Sequence, residues 1–409
     1  MREMKNSGVA WIGDVPENWE TIPNKYLMRK VKAICQKYSN ENVLSLTMNG
    51  VIKRDLDNPS GKMPSTFDGY QFVYAGNLLM CLFDIDVTPR CIGLIENDGI
   101  TSPAYSQFEL KRNAFNRYYY YYYLYLDNKK ELLHLAKNLR HSFTEEQFGQ
   151  ISTVVPPIEQ QHLIANQLDF VCKKVEDLIS NQEQQIEKLK QYKQSLITEV
   201  VTKGLNPDVP MKDSGVEWIG KIPNIWKTKK IKYVAKIIDD KYLKGEYNYI
   251  ALENIESHSA KFIKTDSVYD LVGTKMAYLD TVIFGKLRPY LAKVFLVKET
   301  TCVNNEFSVF KGLEVTNEYL KYFMLGSRFI DTVNASTYGT KMPRANIGFI
   351  SNLQITIPPF QEQQNIATYL DDKCAKIDRL IAIKQEKINK LNDYKKSLIY
   401  EYVTGKKEA

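Results

Sequence analysis

Histidine and cysteine are too sparse and too scattered in this 409-residue sequence to build the usual metal and nucleophilic sites. There are four histidines. His134 and His258 have no Cys or His at ligand spacing, His141 adjoins Arg140, and His162 lies near the start of a helical pattern. Metal and triad roles are poor readings of any of them. The six cysteines (Cys35, Cys81, Cys91, Cys172, Cys302, Cys374) form no CxxC pair, which argues against a zinc site and a secreted disulfide framework and favours reduced, cytosolic thiols. Long apolar runs are missing too. LLMCLF at Leu78 to Phe83 is far too short to span a bilayer, and the first residues, MREMKNSG, are polar, so no membrane role and a cytoplasmic location are expected.

Catalytic signatures are equally absent. No GxGxxG follows a strand pattern, and there is no HExxH, no GxSxG and no Asn/Asp-Pro-Pro-aromatic tetrad for amino-group methylation. GVEWIGKI at Gly215 to Ile222 fits GxxxxGK by spacing, but a phosphate-cradling loop needs Ser or Thr next for Mg²⁺, and Ile222 stands there. The expectation is a chain without catalytic chemistry and without a cofactor of its own.

What is present is ordinary globular composition, 44% hydrophobic and 25% charged, which sets aside disorder and collagen-like structure. The length suits two to four units. The net charge of +7 is distributed as +1 over 1–155, −1 over 156–206, +5 over 207–357 and +2 over 358–409. Most of the excess falls in one block, as a phosphate-facing surface requires, although many domains that bind no nucleic acid carry as much.

The strongest signal is an internal repeat. SGVAWIGDVPENW at Ser7 to Trp19 matches SGVEWIGKIPNIW at Ser214 to Trp226, and PPIEQQHLIANQLD from Pro156 matches PPFQEQQNIATYLD from Pro358. The second register holds to Thr202 and Thr404. Between these blocks, 20–155 and 227–357 have diverged, although Tyr105-Ser106-Gln107-Phe108 still aligns with Phe307-Ser308-Val309-Phe310. A kept scaffold with a changed surface is what two readers tuned to different targets would produce.

Each shared C-terminal block reads as a long helix. Pro-Pro ends the preceding strand, and apolar residues recur at three and four: Ile164, Leu168, Val171, Val175, Leu178, Ile186, Leu189 and Leu196, then Ile366, Leu370, Ile377, Leu380, Ile388, Leu391 and Leu398. The polar stretch Ser180 to Gln185 interrupts the first stripe like a coiled-coil stutter. Helices this long favour a rigid spacer over two ordinary core helices, and Ile158 to Thr202 as continuous helix would measure roughly 65 to 70 Å. The diverged blocks read as mixed strands with a closing helix. The six-tyrosine run Tyr118 to Tyr123 invites a base-stacking reading, but helical geometry turns successive rings to different faces, which favours core packing with hydroxyls at the rim. Trp11, Trp19, Trp218 and Trp226 are expected as packing anchors. The fold class is therefore α+β: two mixed α/β domains in tandem (1–155 and 207–357), each followed by a long helix (156–206 and 358–409), with the helices packed as an antiparallel coiled coil about a pseudo-two-fold axis.

Basic and amide chemistry on predicted loops supplies the candidate site. The second block offers Lys286, Arg288, Tyr290 and Lys293 in KLRPYLAK, then Lys341 and Arg344 in YGTKMPR. The first offers Lys53, Arg54, Arg90, and Arg140-His141-Ser142 ahead of Pro-Pro. Such side chains bridge guanine O6 and N7 or neutralise phosphates, and only the former reads sequence.

The duplicated SGVxWIGxxPxxW openings, KLRPYLAK, the LRHSF and YGTKMPR segments and the twin PPxEQQ/PPxQEQQ helix starts together resemble the specificity subunits of type I restriction-modification systems, over essentially the whole chain. The resemblance implies two target-recognition domains, each reading one part of an asymmetric bipartite site in double-stranded DNA, with helices that set the spacer. It also implies partners: two modification subunits performing S-adenosylmethionine-dependent adenine methylation, and restriction subunits supplying ATP- and Mg-dependent translocation and cleavage. One departure stands out, Lys137-Asn138 where the second copy has Gly339-Thr340. Two rival readings stay open: the recognition subunit of a related modification-only or phage-defence system, and a non-DNA scaffold whose coiled coil docks proteins.

Overall fold

The computed structural model describes all residues except 1, 2, 60, 62, 112, 137–140, 243, 266–272 and 340. It divides into two compact units, residues 1–181 with 386–409, and residues 182–385.

The first unit centres on an antiparallel four-stranded sheet of β1 (Met28–Val31), β2 (Leu78–Met80), β3 (Ile92–Leu94) and β4 (Ser106–Leu110), in the order β1-β4-β2-β3. Helix α1 (Asn116–Lys129) follows, and strand Ser152–Val155 then pairs antiparallel with Glu20–Pro23. Pro156-Pro157, lacking backbone donors, ends that strand, and the long helix α2 (Ile158–Lys203) begins. Residues 158–181 of α2 belong to this unit. Their apolar stripe, Ile164, Ala165, Leu168 and Cys172, enters the same core as Leu398, Ile399, Tyr402 and Val403 from the end of the chain.

The second unit repeats the plan. Strands β5 (Ala235–Ile238), β6 (Val282–Gly285), β7 (Val294–Leu296) and β8 (Phe307–Gly312) form an antiparallel sheet in the order β5-β8-β6-β7. Helix α3 (Asn317–Leu325) follows, strand Gln354–Ile357 pairs with Lys227–Lys230, and the long helix α4 (Phe360–Val403) begins after Pro358-Pro359. Its first half packs Ile366, Ala367, Leu370 and Cys374 into one core with Ile197, Val200 and Val201 of α2. In this unit the helices run antiparallel: Gln185 meets Lys384, whereas Lys193, further along α2, meets Asp378, further back along α4.

Each mixed α/β fold therefore anchors the end of the other copy's helix. The Tyr118 hydroxyl donates to Val403 O at 2.9 Å, and the Tyr319 hydroxyl donates to Val201 O at 3.0 Å, so one contact is made twice with the helices exchanged. Fully buried Trp19 and Trp226 anchor the helix starts, their indole N–H groups donating to Gln160 Oε1 at 2.8 Å and Glu362 Oε2 at 2.9 Å. The tyrosine run is core: Tyr118, Tyr119, Tyr121, Tyr122 and Tyr123 are buried. Their hydroxyls differ from the expected rim position. Tyr123 donates inward to Asn24 Oδ1 and Tyr121 to the partly exposed Asp169, whereas the buried Tyr122 hydroxyl has no hydrogen-bond partner among the described residues. The α2 helix continues unbroken through Ser180 to Gln185. The GVEWIGKI segment leads into strand Lys221–Pro223 rather than a helix, so no helix N-terminus faces a phosphate there. Among the described residues, no helix is long and apolar enough to cross a membrane.

Candidate nucleic-acid interface

In the second unit the two basic segments singled out in the sequence meet. The turn after β6 and the segment before the short helix Ile347–Asn352 are stitched together by backbone bonds: Arg288 N to Pro343 O at 2.7 Å and Ala345 N to Lys286 O at 2.9 Å. A bridge between Leu287 and Arg344 adds to them. Arg288 sits in the left-handed region at φ 51, and its side chain is exposed. Tyr290 is 44% exposed beside it, and Lys341, Tyr338 and Met342 are exposed across the junction. Arg344 is committed in part, its guanidinium donating to Glu306 Oε1 at 2.7 Å. Burial, with Lys275 and Arg344 close by, pushes the half-buried Lys286 ammonium below the usual lysine range, against the pull of Glu306 and Asp239. Lys293 stands apart: its ammonium donates to Leu252 O at 2.7 Å and Ile255 O at 2.8 Å, which holds the 252–255 turn. The cluster offers one uncommitted guanidinium, an exposed ammonium and an aromatic face, the groups that meet base edges and phosphates.

The first unit builds the corresponding junction from other residues. His141 O accepts from Ile85 N at 3.3 Å, Ser142 Oγ accepts from Asp84 N at 3.2 Å, and Phe143 N donates to Leu82 O at 2.7 Å. His141 sits at φ 42 with its Nδ1 buried and without a hydrogen-bond partner among the described residues. Phe83 is 37% exposed and stacks on Tyr105, ring centroids 6.3 Å apart. Burial raises the Tyr105 phenol pKa, with Cys81 and Tyr70 adding to it, and the nearby Arg54 charge opposes them. Arg54 thus belongs to this surface. Lys53 is exposed at the end of a hairpin, Leu44–Thr47 with Gly50–Lys53, and Arg90 is half-buried at the far end of the turn after β2. Arg140, Lys137, Asn138 and Thr340 lie outside the described residues. Sequence reasoning missed Phe83, Asp84, Tyr105 and Glu306. Only strand register reveals the first two, because the turn after β2 is two residues longer than the turn after β6.

Residues 223–393 match the family described as "Type I restriction modification DNA specificity domain". The chain is 26% identical over 280 residues to the type I restriction enzyme MjaVIII specificity subunit of Methanocaldococcus jannaschii, a match covering 63% of each chain. It is 23% identical over 337 residues to the type I restriction enzyme EcoDI specificity subunit of Escherichia coli, covering 73% of this chain and 74% of that one. Among solved structures, a chain from a study of complex assembly and conformational transition in the type I R-M system superposes with a TM-score of 0.71 at 12% identity, over 95% of this chain and 98% of that one. The HsdS subunit from Thermoanaerobacter tengcongensis superposes with a TM-score of 0.50 at 14% identity, over 96% and 98%. At these identities the superpositions bear on the fold.

Proposed function

We propose that the chain is the sequence-reading subunit of a type I restriction-modification complex, each recognition domain reading one half of an asymmetric bipartite site in double-stranded DNA, a reading supported by the match of residues 223–393 to the type I DNA specificity domain. The observation that carries this reading is the junction built twice by equivalent backbone bonds and dressed with different side chains, cationic Arg288, Lys341 and Arg344 in the second copy. A scaffold that repeats while its exposed loops diverge supports two readers of two targets. In this reading Arg288, exposed and unpaired among the described residues, meets guanine O6/N7, and Lys341 meets phosphate.

The chain performs no chemistry in this reading. Two modification subunits dock on it and methylate adenine from S-adenosylmethionine, and restriction subunits add ATP- and Mg-driven translocation and cleavage in the cytoplasm. The long helices set the spacer between the half-sites in this reading. Duplex binding by the full-length chain, titrated with salt, tests this: affinity should fall steeply as salt rises, with no methyltransferase, ATPase or nuclease turnover in the absence of the other subunits. Salt-insensitive retention, or turnover by the chain alone, would contradict it.

A further inference from the structure

The turn after β2 and the turn after β6 are closed and docked by equivalent backbone bonds and carry opposite charge. Cys81 N donates to Cys91 O as Gly285 N donates to Lys293 O, and Phe143 N donates to Leu82 O as Ala345 N donates to Lys286 O, 2.7–2.9 Å in all four. These bonds align the start of each turn and the segment beside it; past them the first turn is two residues longer and its Ile85 N–His141 O bond takes the place of Arg288 N–Pro343 O, so Asp84 is matched to Arg288 by its count from the start of the turn and by backbone conformation. Leu82 stands where Lys286 stands, Ser142 where Arg344 stands, and Asp84 where Arg288 stands. The last pair share the left-handed conformation, φ 46 and 51. Their backbone N–H groups are both held by the neighbouring segment, Asp84 by Ser142 Oγ and Arg288 by Pro343 O. The turn from 82 to 90 thus carries Asp84 and Asp86 against Arg90, whereas 286 to 292 carries Lys286 and Arg288 with no acid.

Backbone geometry accounts for a short polar residue at 84, since Asp, Asn and Gly all tolerate φ above zero. It does not account for a charge. The Asp84 carboxylate makes no hydrogen bond or ion pair among the described residues. An uncommitted carboxylate weakens attraction to phosphate, so on a DNA-facing turn it costs affinity unless it accepts a hydrogen bond from a base. In the major groove the amino group that acidic side chains accept from is cytosine N4.

We propose that Asp84 is a specificity-determining residue of the first recognition domain, its carboxylate accepting the exocyclic amino group of a cytosine at the place in its half-site that corresponds to the base pair read by Arg288 in the other. The proposal rests on the DNA-reading function above. The test is selection from a randomised duplex library by the full-length chain, as wild type, Asp84→Asn, Asp84→Gly and Arg288→Ala. Asn and Gly both accept the left-handed backbone, so the folded turn is kept. Asp84→Asn should lower discrimination for cytosine at one position of one half-site by at least about fivefold, raise affinity for unrelated duplex, and leave the other half-site unchanged. Asp84→Gly should abolish the preference at that position. If Arg288→Ala alters the other half-site while both Asp84 variants select the wild-type sequence, or lose affinity equally for every sequence, Asp84 is not a reader and the DNA-reading function stands. If Arg288→Ala also leaves base preference untouched, DNA reading by these turns fails.

Discussion

The two recognition folds differ least where the chain is buried and most where two segments meet at the surface. Trp19 and Trp226, Tyr118 and Tyr319, and Tyr121 and Tyr322 occupy matching places and donate to matching acceptors. Asp84 and Arg288, both left-handed and three residues into their turns from Cys81 and Gly285, carry opposite charge. Packing and internal hydrogen bonds tolerate little change, because a lost acceptor in the core costs its full desolvation. An exposed turn held by backbone bonds can exchange side chains freely. Conserved interior and divergent junction are the division of labour that a two-target reader needs.

Trp19→Ala and Trp226→Ala should sharpen the comparison most. Each removes a fully buried indole and its hydrogen bond at a helix start, and each should cost about 3–5 kcal/mol, equally in both units, read by denaturant unfolding. Clearly unequal losses would break the equivalence of the two scaffolds.

The helix pairs supply a contrast of intermediate size. Lys193–Asp378 at 2.8 Å and Lys395–Glu176 at 2.6 Å are the same pair in the two units, but the first has side chains only 7% and 14% exposed and the second 25% and 55%. Lys261 also reaches Asp378 at 2.9 Å. Asp378→Ala strands a buried ammonium and should cost about 3–5 kcal/mol, while Glu176→Ala should cost about 0–1 kcal/mol. Equal melting shifts for the two variants would contradict the difference in burial.

Lengthening both long helices by four residues near Gln182 and Gln385 adds about 6 Å to each and turns it roughly 40° beyond a full revolution, so the apolar stripe nearly keeps its face. The unread spacer should widen by about one or two base pairs, given roughly 3.4 Å per pair, with both half-sites unchanged in methylation mapping. One inserted residue turns the stripe by roughly 100° and should destroy packing. An active lengthened complex with unchanged spacing would remove the helices as the ruler. The smallest effect is expected of Lys341→Ala, which should weaken binding uniformly across sequences and reduce the salt slope by about one; a change in base preference would make Lys341 a reader of bases.

Much of this was legible in the sequence. Gap-free repetition from Pro156 and Pro358, with apolar spacing of three and four, gave both long helices as 156–206 and 358–409, with starts two residues from those observed and ends that overrun Lys203 and Val403. The tyrosine run was readable as core because a helix spreads consecutive rings around its axis. The exchange of helix ends was not readable, since it rests on bonds such as Tyr118 to Val403 that span most of the chain and leave no local pattern. Lys293 looked like its basic neighbours, and only the fold reveals that two carbonyls hold it. Asp84 escaped notice because a search for cations passes over acids, and because the longer turn hides its alignment with Arg288.

The central claim, that two separable readers sit on one repeated scaffold, is tested most directly by making the readers identical. Replacing residues 227–357 with 20–155 joins the chains within equivalent strands, Lys227–Lys230 for Glu20–Pro23 and Gln354–Ile357 for Ser152–Val155. Selection from a randomised duplex library should then return the first domain's half-site twice. Recovery of the original asymmetric site, or loss of sequence preference in a chain that remains folded and bound to DNA, would contradict the account.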